Sequence, residues 1–314
     1  MENPPAKSEP KPGRFLWYFL LLALANLMWA AQGTAVKILG RHIGPITITF
    51  LPFYITTLLL IPLLVRARRL NLHSVRPTWR DWRQFVAAGV AGQVLAQLGM
   101  TWGISKSLAS NGAILNLLIP VISAVLASLM LRERLTLLRC LCFVIGLAGV
   151  LLLSVEDLQQ SSFREMKYLA GNFLIFGGCV GSSFYNVYCK GLLRRFQEVE
   201  ILIFSYITAS LASLPLFIWA EPFRFSVLAR LDWQSWAAFV FLAIFMYGVS
   251  MLLFFHVLQH LEVTVASMSL YLVPVFGVLL AAGVLGERLG SLALSGAAIV
   301  LVSTVLVMKY DNAR

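Results

Sequence analysis

The hydrophobic positions of this chain fall into ten long runs that are separated by short polar stretches. Each run has roughly the 20 apolar residues that a helix needs to cross a bilayer. The pattern therefore predicts ten membrane-spanning helices, at residues 15–37, 44–65, 83–104, 109–131, 137–155, 168–190, 199–219, 234–257, 264–285 and 291–308. Because the runs leave only short loops, no soluble domain is expected.

The composition agrees with a membrane protein. Hydrophobic residues make up 59% of the 314 residues and charged residues only 12%, about half the roughly 25% that is usual for a soluble globular protein. So few charges cannot cover a soluble core. The chain is thus predicted to be an all-α integral membrane protein, which excludes secreted disulfide scaffolds, cytosolic enzymes and disordered chains.

The net charge of +11 indicates how the chain is oriented in the membrane and does not indicate nucleic-acid binding. The basic residues lie in short loops between apolar runs, without the aromatic platform or motif of a nucleic-acid binder. With a cytoplasmic N-terminus, the two sides hold 16 and 7 basic residues, so the positive-inside rule places both termini in the cytoplasm. Residues 1–14, rich in proline and charge, are predicted to form a disordered cytoplasmic tail.

Cysteine and histidine give no reason to expect a metal or another cofactor. The four cysteines lie in or beside apolar runs without CxxC spacing, which favours thiols that pack in the core. His256 and His260 stand four residues apart beside Glu262, but no other convincing ligand accompanies them. A titrating histidine is the preferred interpretation of His256, and a metal pair is the alternative.

The chain repeats itself at an offset of 154 residues, where Leu117–Leu135 aligns with Tyr271–Leu289. The shared positions are Pro120 with Pro274, Glu133 with Glu287 and, elsewhere, Trp82 with Trp236. The repeat predicts two five-helix units, at 15–155 and 168–308. Since five is odd, the second unit enters the membrane upside down, and such inverted repeats are typical of transporters.

These motifs resemble the EamA-type, ten-span branch of the drug/metabolite transporter superfamily. The resemblance rests on the paired Pro-x12-Glu-Arg-Leu motifs, on Trp29 followed by Lys37, and on Tyr185 followed by Lys190. It implies two inverted repeats that work by alternating access. It also implies a location in the bacterial cytoplasmic (inner) membrane. The chain departs from the pattern at Ala30, where the family has glycine, and at Pro52 and Phe53, where an arginine is often found.

Neutral polar residues in the spans are the candidates for substrate binding. Gln93 and Gln97 share one helix face, and the 154-residue offset pairs Gln93 with Tyr247. In the family, spans 3, 4, 8 and 9 are thought to line the cavity, and the alternative is that these groups only hold helices together. The predicted substrate-binding residues are Gln93, Gln97, Trp102, Asn111, Asn116, Tyr247, His256, Ser267 and Tyr271.

A second set is assigned to gating or structure: Trp29, Lys37, Pro120, Glu133, Tyr185, Lys190, Pro274 and Glu287. The lysines are span-end anchors or contacts for an anionic group. The glutamates cap helix ends, with direct substrate contact as the alternative, and the prolines are fixed bends or flexing points. Gly99-x-x-x-Gly103 and Gly177-x-x-x-Gly181 predict close helix packing.

The predicted function is secondary-active transport, with export of small polar metabolites such as amino acids as the leading hypothesis. An importer or exchanger of a sugar or nucleotide-linked solute is the alternative. A membrane-embedded lipid-modifying enzyme is disfavoured, because no catalytic constellation is present. The expected partners are a small-molecule substrate and the lipid bilayer. Coupling to a proton or counter-substrate, and a homodimer, are left open.

Overall fold

The computed structural model describes residues 12–70, 76–107, 109–153, 166–219, 221, 231–285 and 291–310. This part of the chain is helical and contains no strand. The α-helices are α1 Pro12–Leu39, α2 Pro45–Leu70, α3 Trp79–Ala87, α4 Leu95–Ser105, α5 Ala109–Asn116, α6 Leu118–Leu131, α7 Leu137–Leu153, α8 Met166–Leu192, α9 Glu198–Trp219, α10 Trp233–Val240, α11 Ser250–His260, α12 Val263–Met268, α13 Leu272–Leu285 and α14 Ser291–Tyr310.

These helices form ten segments, which we number 1 to 10. Segment 3 is α3, a π-helical stretch at Ala88–Val94 and α4, and segment 8 is α10, a π-helical stretch at Phe241–Val249 and α11. Segment 4 joins α5 to α6, segment 9 joins α12 to α13, and the other six segments are single helices. Seven of the described segments are long and apolar enough to cross a membrane. The predicted all-α membrane fold is confirmed.

Equivalent contacts in the two halves reveal the repeat in three dimensions. Segment 3 packs on segment 6, and its counterpart in the second half, segment 8, packs on segment 1. In the same way, segment 2 contacts segment 8, and its counterpart, segment 7, contacts segment 3. Where segments 5 and 10 cross, Gly146 lies against Ser303 and Gly149 against Val300. The 154-residue offset maps the first of these contacts onto the second. A pseudo-two-fold axis therefore relates the halves, which are inverted because each has five segments.

The segment limits agree with the predicted spans to within a few residues. The largest differences are at the start of segment 3, which begins at Trp79, and at the end of segment 2, which continues to Leu70. Segment 1 begins at Pro12, a residue that fits the first turn of a helix because it lacks an amide proton. Residues 1–11 of the predicted tail lie outside the described residues.

Close packing between segments 3 and 6 depends on glycines. A Cβ atom on Gly99 or Gly178 would meet the backbone of the other segment at less than 3.0 Å. Gly103 and Gly181 are similarly enclosed, whereas Gly177 faces open space apart from one Leu95 methyl group. The packing predicted from Gly99-x-x-x-Gly103 is present. In segment 6, however, the Gly177-x-x-x-Gly181 motif predicted that Gly177 packs closely against another helix, and it is Gly178 that does so.

Both motif prolines coincide with interruptions of their segments. Pro120 cannot donate to the carbonyl of Asn116 and its ring crowds that carbonyl, and α5 ends at Asn116. At the equivalent place in segment 9, the turn Ser269–Tyr271 is a 3-10 helix that precedes Pro274. The predicted bends are therefore local breaks of the helix about one turn before each proline.

Candidate functional site

A hydrogen-bonded chain of three predicted residues joins segments 3 and 8 inside the bundle. The Gln97 Nε2 donates to Gln93 Oε1 at 3.4 Å, and the Tyr247 hydroxyl donates to Gln97 Oε1 at 3.4 Å. Gln93 and Tyr247 are buried and Gln97 is half-buried. Because Gln93 and Tyr247 are equivalent positions of the two repeats, this central cluster lies at the pseudo-two-fold axis.

Two residues of this cluster, Gln93 and Tyr247, lie in the two π-helical stretches. They occupy equivalent positions, Ala88–Val94 in segment 3 and Phe241–Val249 in segment 8. A π-helical turn has one extra residue and is found frequently at functional sites. Side chains on other segments hydrogen-bond to carbonyls of the second stretch, with Thr56 Oγ1 donating to Ala243 O at 2.6 Å. Sequence periodicity did not reveal either stretch.

An aromatic wall from segments 2 and 7 borders the cluster. The ring of Phe53 lies 4.1 Å from that of Tyr206 and 5.4 Å from that of Tyr247, centroid to centroid. The Tyr206 hydroxyl donates to the Tyr247 carbonyl at 2.9 Å. Nearby segments 2 and 3 share a hydrogen bond between Thr49 and Thr101 at 2.7 Å. Sequence analysis did not assign Phe53 or Tyr206 to the site, although it did single out Phe53 as a departure from the family pattern.

A second polar cluster joins segments 1 and 9. The Asn26 Nδ2 donates to Ser269 Oγ at 3.0 Å, and both residues are buried. Seven side-chain atoms of the described residues are buried without a hydrogen-bond partner, and Asn26 Oδ1, Ser267 Oγ and the Tyr271 hydroxyl of segments 1 and 9 are among them. Because buried polar atoms are nearly always paired, these three atoms suit contact with a solute or water. Ser267 and Tyr271 were predicted, whereas Asn26 was not.

Asn111 and Asn116, the predicted binding residues of segment 4, contact segment 6. The Asn111 Nδ2 donates to Ser107 Oγ and to Asn172 Oδ1, each at 3.1 Å, so Asn111 ties segment 4 to segment 6. Asn116 accepts a long contact of 3.8 Å from Cys179 Sγ. Trp102 is half-buried in segment 3.

His256 is distant from the central cluster. Its side chain is 46% exposed and its Nδ1 lies 3.1 Å from Glu198 Oε1. The neighbouring His260 stacks on Tyr18 with 5.1 Å between ring centroids. Within the described residues, no group of three or more potential ligands is arranged to hold a metal ion.

The predicted gating residues occupy contacts between segments. Trp29 packs edge-on against Phe254, with 5.3 Å between centroids. The Tyr185 hydroxyl is 2.8 Å from Ser205 Oγ. The Lys190 ammonium donates to the carbonyls of Leu258 and Leu261 where segment 8 ends, a favourable place for a cation. The Lys37 side chain and Glu287 lie outside what the structure describes.

Glu133 receives the N-terminus of segment 9. Its carboxylate accepts from the Val263 amide at 2.8 Å, from the Thr264 amide at 2.9 Å and from the Thr264 hydroxyl at 2.6 Å. Glu133 is only 8% exposed. The carboxylate therefore satisfies orphan amides at a helix start and binds segment 4 to segment 9.

The ion pairs of the described residues lie at one end of the bundle, which we call the charged end. Segments 1, 3, 5, 7 and 9 begin there. Its ion pairs are Arg68 with Glu200, Arg139 with Glu262, Arg195 with Asp81, and His256 with Glu198. The first three of these pairs and the contacts of Glu133 join the two halves at this end, whereas the contacts of His256 and Lys190 lie within the second half.

A search against family models matches this chain twice. The EamA-like transporter family model covers residues 16–155 and 169–309. The chain belongs to the EamA-like transporter family. It is thus a multi-pass membrane transporter, built from the two tandem copies whose segments are described above.

Named relatives of this EamA-like transporter differ in their stated solutes. An uncharacterized transporter of Archaeoglobus fulgidus is 26% identical over 93% of this chain and 98% of its own length. A probable terminal-alkyne amino-acid exporter of Streptantibioticus cattleyicolor is 23% identical, covering 93% and 94%. An S-adenosylmethionine uptake transporter of Rickettsia conorii is 21% identical, covering 94% and 92%.

A solved crystal structure shares the fold. It superposes with a TM-score of 0.76 over 93% of this chain and 96% of the other, at 19% sequence identity. The arrangement of ten segments is therefore common to both proteins.

Proposed function

We propose that this EamA-like transporter is a secondary-active exporter of small zwitterionic or neutral metabolites, with amino acids as the first candidates. The observation that carries the proposal is the Gln93–Gln97–Tyr247 chain at the pseudo-two-fold axis. Inverted-repeat transporters bind their substrates near the interface of the repeats, and this is where the central cluster lies.

The chemistry of the cluster favours a solute without net charge. Amide and phenol groups both donate and accept hydrogen bonds, whereas an ion in the membrane interior needs an opposite charge to offset its desolvation. Among the described residues, no charged side chain is hydrogen-bonded to Gln93, Gln97 or Tyr247. Phe53 stands beside Tyr247, at a position where an arginine often occurs in the family.

The names of two relatives support the amino-acid class. Terminal-alkyne amino acids and S-adenosylmethionine both carry an α-amino-acid group, although one relative is named an exporter and the other an uptake transporter. The unpartnered atoms of Asn26, Ser267 and Tyr271 would supply further hydrogen-bonding groups for an ammonium or carboxylate. Export is the direction proposed here.

Alternating access follows from the repeat. The two halves, proposed to be 15–155 and 168–308, would exchange conformations by breaking contacts at the charged end while forming equivalent contacts at the opposite end. The short breaks before Pro120 and Pro274 are proposed as flexing points. The proposed location is the inner membrane with both termini in the cytoplasm, in agreement with the positive-inside distribution.

Substrate counterflow in proteoliposomes, without an imposed ion gradient, tests the proposal. We expect saturable exchange of at least one labelled amino acid. Gln97→Ala and Tyr247→Phe should raise its apparent KM about 5- to 10-fold, because each removes a hydrogen bond that is worth roughly 1–1.5 kcal/mol. The matched controls Gln259→Ala and Tyr310→Phe, at exposed positions, should leave KM unchanged.

The outcomes separate the alternatives. Exchange of sugars or nucleotide sugars, but not of amino acids, would replace this proposal with the importer or exchanger hypothesis. Equal loss in the cluster variants and in their exposed controls would move the binding site away from the central cluster.

A further inference from the structure

A pocket of about 380 Å3 opens at the charged end between segments 3, 4 and 6. It is separate from both polar clusters. Its polar lining comes from Arg80, Gln84 and Arg195, and its apolar lining includes Met130 and Tyr188. A site with cationic groups on one side and hydrocarbon surface on the other suits an amphiphile with an anionic group.

The carboxylate in this pocket is already engaged. Asp81 is 1% exposed and accepts hydrogen bonds from the amide and hydroxyl of Thr78 at 2.7 and 2.6 Å. It also accepts from Arg195 Nη1 at 2.6 Å. Arg195 is 48% exposed, and Arg80 is exposed with no ion-pair partner among the described residues. Arg80 and Arg195 outnumber Asp81, the one carboxylate in the pocket lining, so the pocket presents a net positive charge to an anion.

The pocket continues onto a surface that faces lipid. Leu129 and Met130 of segment 4 are 74% and 42% exposed, and both would contact acyl chains in a membrane. Trp79, 80% exposed, stands at the start of segment 3, and tryptophan is enriched where a membrane meets water. An anionic group beside the arginines would thus lie at headgroup depth, with its hydrocarbon along segment 4.

The repeat shows that the fold itself does not require Arg80 or Gln84. At the 154-residue offset, Arg80 corresponds to Gln234, and Gln84 corresponds to Ala238. Segment 8 nevertheless forms the same interrupted helix as segment 3. Arg80 and Gln84 are therefore particular to one half of an otherwise symmetric molecule, as expected of a binding function that only one leaflet supplies.

We infer that this pocket binds one anionic phospholipid, with its phosphodiester held by Arg80 and Arg195 and its acyl chains lying against Met130 and Leu129. Basic pockets between transmembrane helices are known sites for anionic headgroups. The bound lipid would join segment 4 to segments 3 and 6 at the end where the halves meet.

Native mass spectrometry of the full-length protein, supplied with equimolar phosphatidylglycerol and phosphatidylcholine, tests this site. We expect one phosphatidylglycerol molecule to be retained preferentially. Arg80→Gln should reduce this preference about 10-fold, because the neutral side chain cannot form a charge-assisted hydrogen bond to the phosphodiester. Arg83→Gln, which makes the same charge change on the same helix outside the pocket lining, is the matched control.

Gly191→Leu provides a second variant that keeps every charge. Gly191 lines the pocket, and a Cβ atom there would have only one neighbour, Leu131 Cδ2 at 3.9 Å. A leucine can therefore project into the pocket without a clash at its base. We expect this variant to lose the retained lipid while its thermal unfolding temperature without added lipid equals or exceeds that of the unmodified protein.

Three results would overturn the inference. One is equal retention of the two lipids by the unmodified protein. Another is equal loss in Arg80→Gln and Arg83→Gln, which indicates general attraction to a basic surface. The third is stabilisation against heat by inorganic phosphate as strong as that by phosphatidylglycerol, which would assign the pocket to a free anion.

Discussion

At the residue scale, single side chains hold together parts of the chain that are far apart in sequence. Glu133 was predicted to cap a helix end, and the end that it contacts belongs to segment 9, 130 residues away. The sequence motif identified the residue, but its partner depends on how the repeats meet. Gln97 is similar, because its partners Gln93 and Tyr247 come from its own helix and from the other half.

Replacement of Glu133 should lower stability strongly. In Glu133→Ala, two backbone amides and one hydroxyl lose a charged acceptor in a buried setting, and we expect a loss of about 3 kcal/mol or more. Thermal unfolding of the detergent-solubilised protein measures it. Glu198→Ala is the control, because Glu198 contacts the exposed His256 and such surface pairs contribute at most about 1 kcal/mol. Comparable losses in the two variants would contradict the capping interpretation.

Gln97 links Gln93 to Tyr247, whereas His256, another predicted binding residue, lies away from them. His256 comes nine residues after Tyr247, which is about 180° around an α-helix of 3.6 residues per turn, so the two side chains point to opposite faces. His256 follows the stretch of segment 8 and lies at the exposed surface. Its role as a substrate contact or titrating group stays a prediction.

At the scale of elements, glycine spacing predicted that segments pack closely, but the contact face was decided by their crossing. Gly178→Ala would place a Cβ atom within 2.9 Å of the Met100 amide nitrogen and 3.1 Å of the Ala96 carbonyl oxygen. Because both neighbours are backbone atoms, they cannot move aside as a side-chain tip could.

The adjacent glycines provide a matched pair. We expect Gly178→Ala to destabilise the protein by about 1–3 kcal/mol through overpacking. Gly177→Ala should leave stability unchanged or raise it by up to about 1 kcal/mol, since alanine favours a helix over glycine. Unfolding curves in detergent would show the difference. If Gly178→Ala were as stable as Gly177→Ala, the close crossing of segments 3 and 6 would be incorrect.

The break before Pro120 gives a prediction about motion. Pro120→Ala restores the missing amide donor, so we expect stability to remain equal or rise. If the break flexes during transport, the maximal counterflow rate should fall several-fold while KM stays constant. Pro62→Ala is the control, because α2 continues through Pro62 without interruption. An unchanged rate in Pro120→Ala would make the break a fixed bend.

At the scale of the whole molecule, inversion requires alternate loops to lie on opposite sides of the membrane. With native cysteines replaced, Arg76→Cys should react with a membrane-impermeant maleimide only after cells are permeabilised. Arg41→Cys should react in intact cells, because a single span lies between the two positions and they are therefore on opposite sides of the membrane. Both positions are exposed in the structure. The opposite labelling pattern would reverse the proposed orientation.

Much of this architecture is determined by the sequence alone. Ten apolar runs of membrane-spanning length can satisfy their backbone in lipid only as helices, and the 154-residue offset requires two related halves. The same offset paired Gln93 with Tyr247 and Pro120 with Pro274. These features follow from local hydrophobicity and from internal comparison, which need no knowledge of distant contacts.

Tertiary structure decided the remainder. The way in which neighbouring segments cross decides which glycine is closely packed and which helix end Glu133 caps. It also decides which buried oxygens of Asn26 and Tyr271 lack a hydrogen-bond partner. The π-helical stretches add to this, since their extra residues rotate one part of a helix against the other. The pocket with Arg80 exists only where three segments from different parts of the chain meet, so no linear pattern marks it.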